Sequence, residues 1–431
     1  MKKESLKIAL AYVGIIVGAG LSSGQDLLQY FLCFGKIGIL GAVMLGILNI
    51  LFGRIIVTLG AFYQSNSHNE VLEKITKPVI NRIIDFTLII SNFVMGFVMI
   101  AGAGANLSQQ FSIPSWAGAM MCAVLIIIVS FMDFEKITNV LGMFTPVIIA
   151  MIFLITVYTF MGKHYDFNSL DTAAKTIKPA IPSIWLSVVN YFSLCVLTGV
   201  SMAFVLGGSV IRIRVAEKGG ALGGMMIGFV IFCASITLFA NIDKVKGAEI
   251  PMLDIFRNIN PILSVVYSII IFVLIFNTAF SLFYSTARRF AGDDDKKMRG
   301  IIIAIVMIGY ICSFGGFKTL VSKMYPILGY MGIILLIVLL VAWVSNYDKI
   351  NREKIIRRKI IHLHLKKYDK NMEYTDKDQK IFEKIGEKSV VNKYTLYKDI
   401  KDYACNIIES PVDTQEFVEK ELSIDNESKD S

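Results

Sequence analysis

Residues 14–29 read GIIVGAGLSSGQDLLQ, inside an apolar run that extends from residue 7 to residue 33. Glycines and polar side chains are concentrated there: Gly14, Gly18, Gly20 and Gly24 accompany Ser22, Ser23, Gln25 and Asp26. Each glycine lowers helix stability by about 1 kcal/mol relative to alanine and permits backbone angles that unwind a turn. An unwound turn exposes carbonyls and amides that lipid cannot satisfy but that an ion or a solute can. We therefore predict one membrane-spanning helix that is broken near its middle. The alternative is an unbroken helix whose GxxxG spacings form a close-packing face.

The whole chain has the composition of an integral membrane protein. Of its 431 residues, 55% are hydrophobic and 18% are charged, and the mean hydropathy is +0.62, which is too apolar for a soluble chain of this size. The apolar runs predict an all-α polytopic protein with about ten transmembrane helices. These predicted spans, called segments 1 to 10, are 7–33, 37–63, 80–107, 114–132, 138–161, 181–207, 218–241, 261–287, 299–315 and 325–345.

The ten segments divide into two groups of five. The transmembrane domain, residues 1–345, then consists of repeats 7–161 and 181–345. Segment 6 opens the second repeat, and it also carries small and polar residues near its middle: Asn190, Tyr191, Ser193, Thr198, Gly199 and Ser201. Two interrupted helices, each the first of its group, are typical of an inverted-repeat membrane fold. We therefore predict that segment 6 is broken as well. The alternative is a continuous helix whose hydroxyls bond back to their own turn.

The two predicted breaks define a candidate site for a small-molecule solute. Half-helix N-termini offer amides to an anionic group, and unwound carbonyls offer oxygens to a cation. The substrate-binding candidates are Gly18, Gly20, Ser22, Ser23, Gln25, Asn190, Tyr191 and Ser193. Asp26 is a proton-coupling candidate, because ionisable groups at membrane depth are costly and usually functional. Charge balance with a cationic solute and a structural hydrogen bond remain alternative roles for it.

Segment 8 supplies a candidate cation site. Its oxygen-bearing side chains Asn277, Thr278 and Ser281 lie close together in the sequence, and oxygen ligands suit a hard cation such as sodium. Hydrogen bonding between helices explains the same side chains equally well. The six cysteines have no metal-ligand spacing and the sequence has no catalytic motif, so we expect neither a transition-metal site nor an enzyme. Sodium is the one cofactor that the sequence suggests.

Charge distribution predicts the topology. Basic residues are more numerous in the loops on the side of the termini, which places both termini in the cytoplasm of a multi-pass protein in the cell membrane. The net charge of +9 therefore indicates orientation in a bilayer and not a nucleic-acid partner. Residues 346–431 form a charged tail, basic and then acidic. The stretch NREKIIRRKIIHLHLKK suits an interfacial helix or a solvated anchor, and we expect the acidic residues 409–431 to be disordered.

Two strings carry a family resemblance. With YVGIIVGAGLSSGQD at residues 12–26 and VMIAGAGANLSQQFSIP at residues 98–114, the chain resembles the bacterial YkvI-type membrane proteins of the amino acid-polyamine-organocation superfamily. The resemblance covers about residues 5–345. It implies a LeuT-type fold with a five-plus-five inverted repeat and a central site between segments 1, 3, 6 and 8.

The resemblance also implies ion sites and a function. Sodium-coupled members have a site that maps here to the carbonyls of Gly14 and Val17 and to the side chains of Asn277 and Thr278. Asn277 departs from the hydroxyl expected there, and a further sodium site maps to Leu21 and is expected to be absent. The implied activity is symport of a small amino acid- or amine-like solute, coupled to Na+ or H+. The alternative is a membrane receptor with a transporter-like fold that signals through its cytoplasmic tail.

Overall fold

A computed structural model of the chain describes residues 2–17, 19–64, 68–132, 144–162, 164–292, 294–369, 371–409, 414, 417 and 418. Within these ranges the regular structure is helical, and no strand is present. The first-half helices are α1 (Lys2–Ile16), α2 (Ala19–Ser23), α3 (Gln25–Tyr30), α4 (Lys36–Tyr63), α5 (His68–Ile75), α6 (Pro78–Phe111), α7 (Ser115–Val129), α8 (Phe144–Phe160) and α9 (Phe167–Ala174).

The second-half helices are α10 (Ile184–Gly208), α11 (Ile213–Ala240), α12 (Ile242–Val245), α13 (Pro251–Ile259), α14 (Pro261–Ala291), α15 (Asp295–Ser313), α16 (Phe317–Tyr368), α17 (Asp376–Ile385) and α18 (Lys393–Ile408). Six of the described helices, α4, α6, α10, α11, α14 and α16, are long and apolar enough to cross a membrane, and α7 and α8 are shorter apolar helices. The predicted all-α polytopic membrane fold is confirmed. Eight of the predicted segments overlap one of these helices, segment 9 overlaps α15, and segment 1 corresponds to the series α1 to α3.

Segment 1 is broken, as predicted. Helix α1 ends at Ile16, α2 begins at Ala19, and Gly24 separates α2 from α3 with a left-handed φ of 79°. A side chain is strained at that angle, and a Cβ on Gly24 would lie 2.9 Å from the Met252 side chain and 3.0 Å from that of Leu238. Glycine at this position therefore permits both the turn and its close packing.

Segment 6 is not broken, so that prediction was wrong. Helix α10 is continuous from Ile184 to Gly208. The Ser193 hydroxyl donates to the Val189 carbonyl at 2.6 Å, and the Thr198 hydroxyl donates to the Leu194 carbonyl at 3.1 Å. These hydroxyls thus bond within their own helix and need no unwound turn.

The two halves pack in an exchanged pattern. Helix α1 of the first half packs against α11 of the second, and the corresponding helix α10 packs against α4. Within the halves, the contact between α6 and α7 in the first corresponds to the contact between α14 and α15 in the second. Small residues allow the closest approaches, since a Cβ on Gly220 of α11 would lie 2.2 Å from the Gly53 carbonyl oxygen of α4. This exchange is the contact pattern that an inverted repeat of five helices produces.

The tail begins as a direct continuation of the last membrane helix. Helix α16 runs without interruption from Phe317 to Tyr368, so the basic stretch continues the helix of segment 10. Its end packs on α17 and α18 through a small apolar core that includes Ile360, Leu396 and Ile400, each fully buried. The predicted disorder of residues 409–431 falls almost entirely outside the described residues.

Candidate functional site

A cavity of about 750 Å³ lies against the break in segment 1. Its walls come from α1, α2, α3, α6, α8, α10 and α14, with Tyr325 added by α16. Leu10 of α1, Leu206 at the end of α10 and Ser285 near the end of α14 also line it. The cavity therefore extends from the break toward the face of the molecule on which α1 begins and α10 ends. We call this the terminus face.

Helices α1 and α18 meet at the terminus face. The Tyr403 hydroxyl of α18 donates to the Glu4 carboxylate of α1 at 3.0 Å, and the Arg212 guanidinium donates to the same carboxylate at 2.7 Å. Arg212 lies in the connection between α10 and α11. These contacts place the N-terminal helix, the C-terminal helix and the end of segment 6 on one side of the protein.

Asp26 is the charged side chain of the cavity wall. Among the described residues that line the cavity it is the one Asp, Glu, Lys, Arg or His. It is 1% exposed, and the Tyr191 hydroxyl of α10 donates to its Oδ2 at 2.6 Å. Its Oδ1 has no hydrogen-bond partner among the described residues. One carboxylate oxygen is thus tied to segment 6, and the other is available to a ligand.

Gly20 creates the space for this carboxylate. A Cβ on Gly20 would lie 2.5 Å from Asp26 Oδ2. Any larger side chain would displace the carboxylate, because real Cβ atoms do not approach so closely. The break in segment 1 therefore places the Asp26 carboxylate against the backbone of Gly20.

Two further polar atoms of the wall lack partners. Tyr325 Oη and Asn277 Oδ1 are buried without a hydrogen-bond partner among the described residues, and both side chains line the cavity. Buried polar atoms in native proteins are nearly always hydrogen-bonded, so unpaired ones at a cavity indicate groups that a ligand or water satisfies. Together with Asp26 Oδ1, they give the cavity wall three buried oxygens without a hydrogen-bond partner among the described residues.

The predicted ion-binding residues all belong to the cavity wall. Gly14 and Val17 of segment 1 and Asn277, Thr278 and Ser281 of α14 all line the cavity. The Thr278 hydroxyl donates to the Leu274 carbonyl at 2.9 Å, which leaves its oxygen lone pairs free to accept or to coordinate. Oxygen donors, one of them unpaired, fit a hard cation such as Na+.

The predicted substrate-binding residues divide into two groups. Gly20 and Tyr191 line the cavity, whereas Ser22, Ser23, Gln25, Asn190 and Ser193 are buried away from it. Gly18 lies outside the described residues.

The serines of segment 1 stabilise the break instead of facing the cavity. The Ser23 hydroxyl donates to the Gly20 carbonyl at 2.8 Å and accepts from the Gln25 backbone N–H at 3.2 Å. The Ser22 carbonyl accepts from the Tyr267 hydroxyl at 2.8 Å. Backbone groups released by the break are thus partly satisfied by side chains.

Asn190 and Ser193 face helix α16. The Asn190 amide donates to the Pro326 carbonyl at 2.9 Å. A Cβ on Gly329 would lie 2.2 Å from Asn190 Oδ1, and one on Gly332 would lie 2.7 Å from the Ser193 carbonyl oxygen. Because these glycines have no side chains, α16, the helix of segment 10, packs closely against Asn190 and Ser193. This face of segment 6 therefore contacts segment 10 and points away from the cavity.

Sequence reasoning missed cavity residues on segments 5 and 10. Thr145 of α8 and Tyr325 of α16 line the cavity. Each precedes a proline, Pro146 or Pro326, in the fifth helix of its half. Proline removes a backbone donor inside a helix, and this shared signal was available in the sequence.

Comparison with curated proteins gives two relatives in Bacillus subtilis (strain 168). The uncharacterized membrane protein YkvI is 25% identical over 332 residues, which cover 77% of this chain and 94% of YkvI. The uncharacterized protein YyaD is 24% identical over 339 residues, which cover 78% of this chain and 96% of YyaD. The chain is homologous to YkvI and YyaD. No protein-family model matches it.

Both matches cover nearly all of the Bacillus relative but only about three quarters of this chain. This protein is therefore longer than YkvI and YyaD. Among solved structures, that of MhsT in complex with L-phenylalanine matches 94% of this chain and 96% of MhsT, with a TM-score of 0.55 at 14% identity. This similarity confirms the LeuT-type fold that the resemblance implied.

Proposed function

We propose that the protein is a secondary transporter that moves a small amine- or amino acid-like solute together with a cation, Na+ or H+, by alternating access. The observation that carries the proposal is the Asp26 carboxylate, buried at the break with its Oδ1 unpaired at a cavity of about 750 Å³. An unpaired carboxylate inside a membrane protein is costly, and a cation relieves that cost. The LeuT-type fold supports a central solute site at this position.

The charge of the cavity favours a solute with an amine. Asp26 has no cationic side chain opposite it among the described lining residues. An ammonium group bound there would pair with Oδ1, while the apolar remainder of the solute would contact Met95, Met99 and Leu274. A solute that also carries a carboxylate would place a second negative charge near Asp26, unless a bound Na+ or a proton compensates it.

Two routes to ion coupling follow from the same wall. A Na+ held by oxygens of Gly14, Val17, Asn277 and Thr278 would join the broken segment to α14. A proton on Asp26 would weaken the hold on an ammonium group and so link release to pH. Either ion would change the affinity of the site for the solute, which is the requirement for coupling.

The geometry supports an arrangement that faces the terminus side. On the opposite side, the Gln29 amide donates to the Lys318 carbonyl at 3.3 Å, and the Lys318 backbone N–H donates to Glu249 at 3.2 Å. These contacts close the side away from the termini. By the positive-inside rule the terminus face, toward which the cavity extends, would lie in the cytoplasm, with the protein in the cell membrane.

The test is current measurement on proteoliposomes with matched solutes. Each pair consists of an amino acid and the amine that lacks its carboxylate: leucine with isoamylamine, phenylalanine with phenethylamine, and ornithine with putrescine. Currents are recorded with and without Na+ at two pH values. We expect at least one member of the panel to give a current that depends on Na+ or on pH. A panel without currents and without thermal stabilisation would contradict the proposal.

Asp26→Asn should lower the apparent affinity for the active solute by about tenfold to a hundredfold, the range for one charged hydrogen bond. Asp348→Asn is the matched control, because Asp348 is an exposed carboxylate on α16. It should leave the current unchanged. Equal responses of the two variants would remove Asp26 from the solute site.

A receptor is the second candidate. The folded tail that contacts α1 favours it, since such a contact could transmit ligand binding to the cytoplasm. The same panel separates the two functions. A transporter gives gradient-driven flux, whereas a receptor is stabilised by its ligand and gives no current.

A further inference from the structure

We infer that the tail is a latch that holds the terminus-face ends of segments 1, 2, 6 and 7 together and thereby limits access to the cavity. The latch is defined as residues 346–409, the end of α16 with α17 and α18. Its attachment rests on one buried arginine and on several contacts at its edge.

Arg357 is the centre of the attachment. It is 1% exposed, and its guanidinium donates to the Ala61 and Phe62 carbonyls, each at 2.7 Å, and to the Ile211 carbonyl at 3.3 Å. Ala61 and Phe62 lie in the last turn of α4, where carbonyls lack the usual partner four residues later, although the Ala61 carbonyl also accepts from the Gln64 backbone N–H at 3.2 Å. A cation at a helix C-terminus is also favoured by the helix dipole. Arg357 therefore joins the end of segment 2 to the connection after segment 6.

Glu353 links this arginine to the rest of the tail. Arg357 Nε donates to Glu353 at 2.9 Å, and Glu353 is also 1% exposed. The Ser389 hydroxyl and the Val390 backbone N–H donate to the same carboxylate at 2.6 Å and 3.3 Å. Both belong to the connection between α17 and α18. A shift of that connection thus acts on a buried ion pair, which is costly to disrupt.

The edge of the latch reaches segments 1, 2 and 7. The Tyr403 hydroxyl donates to Glu4 of α1 at 3.0 Å, and the Gln64 amide donates to Asp399 at 2.9 Å. Lys354 donates at 2.6 Å to Glu217 of α11, whose other oxygen accepts from Arg54 of α4. These contacts join helices that move apart only if the latch also moves.

The latch contacts α1, and α1 forms part of the cavity wall. Glu4 lies fewer than two turns before Leu10 and Ala11, which line the cavity, on the same continuous helix. Holding the start of α1 therefore holds one wall of the cavity. Release of the latch should allow α1 to move outward and expose the interior from the terminus face.

Cys195 reports on that exposure without a known solute. It lines the cavity and is a free cysteine. Its alkylation by N-ethylmaleimide in the full-length protein can be followed by peptide mass spectrometry, together with hydrogen exchange of residues 2–16. We expect Tyr403→Phe combined with Asp399→Ala to accelerate alkylation by about tenfold to thirtyfold, because the double variant removes two hydrogen bonds of about 1 kcal/mol each. Arg357→Met should accelerate it further.

Matched controls lie on the same helices. Tyr394→Phe alters an 85% exposed tyrosine of α18, and Arg352→Met removes an exposed arginine of α16. Both should leave the alkylation rate and the exchange of α1 unchanged. The double variant keeps the test decisive if Arg357→Met fails to fold. Alkylation that is equal or slower in the double variant, with unchanged exchange of α1, would overturn the latch.

Discussion

Segments 1 and 6 occupy corresponding positions in the two halves, and both are rich in small and polar residues, yet only segment 1 is broken. In segment 6 the hydroxyls bond to carbonyls of their own helix. In segment 1 the Ser23 hydroxyl also accepts from the Gln25 backbone N–H across the break, and Gly24 adopts a left-handed angle that helical residues do not. Polar residues inside a membrane helix therefore do not predict a break by themselves. A cluster of glycines is the stronger signal.

The largest effect should follow from filling the space over Gly20. Gly20→Ala places a methyl group where Asp26 Oδ2 lies, so the carboxylate must leave its bond with Tyr191. We expect a loss of about 3 kcal/mol in solute binding, roughly a hundredfold in Kd, because a charged hydrogen bond is displaced. Titration of the active solute of the panel, followed by thermal shift, measures this loss.

Gly14→Ala is the control for Gly20→Ala. Gly14 also lines the cavity, but a Cβ there has no atom within 4 Å. Solute affinity should be retained, and the helix should gain up to about 1 kcal/mol from the better propensity of alanine. Similar losses in both variants would show that any added methyl group disturbs the site, and the particular role of Gly20 would be lost.

A smaller effect, on stability, should separate the two segments directly. Gly24→Ala forces alanine into a left-handed angle against Met252 and Leu238, which should destabilise the protein by about 2 kcal/mol. Gly199→Ala in segment 6 keeps a helical angle, and its close contact is with the end of the flexible Ile16 side chain, with the Ile15 side chain at an ordinary 3.5 Å. That variant should remain within about 1 kcal/mol of the parent, since helix propensity offsets the crowding. Melting temperatures in detergent test the difference, and equal melting would contradict a turn that requires glycine.

The sequence predicted the membrane helices and the break in segment 1 because apolar run length and glycine density are local properties. From the fold that the resemblance implies, the sequence also predicted that Gly20, Asp26, Tyr191 and the α14 oxygens lie near one another. In the structure these residues line one cavity. The sequence could not orient Asn190 and Ser193. The rotation of segment 6 is set by Gly329 and Gly332 of α16, which are distant in the sequence.

The tail shows a second limit of local patterns. Its charged composition indicated an interfacial helix or a solvated anchor followed by a disordered end, and it gave no sign of the apolar core in which Ile360 and Ile400 are buried between α16 and α18. On α16, Arg357 donates to the carbonyls of Ala61 and Phe62, which lie about three hundred positions earlier in the sequence. Such a contact has no local signature, because any exposed arginine of a basic helix looks the same in sequence.

The smallest predicted effect compares one hydroxyl in each segment. Ser23→Ala removes a donor to the Gly20 carbonyl and an acceptor for the Gln25 N–H, both at the break, and should cost about 1 kcal/mol. Ser193→Ala removes a hydroxyl that bonds only to Val189 in a continuous helix, where the backbone already supplies a donor to that carbonyl, and should cost less than about 0.5 kcal/mol. Melting temperatures of the two single variants give the comparison. If Ser193→Ala costs as much as Ser23→Ala, segment 6 depends on its hydroxyls as segment 1 does, and the contrast between the two segments then rests on the glycines alone.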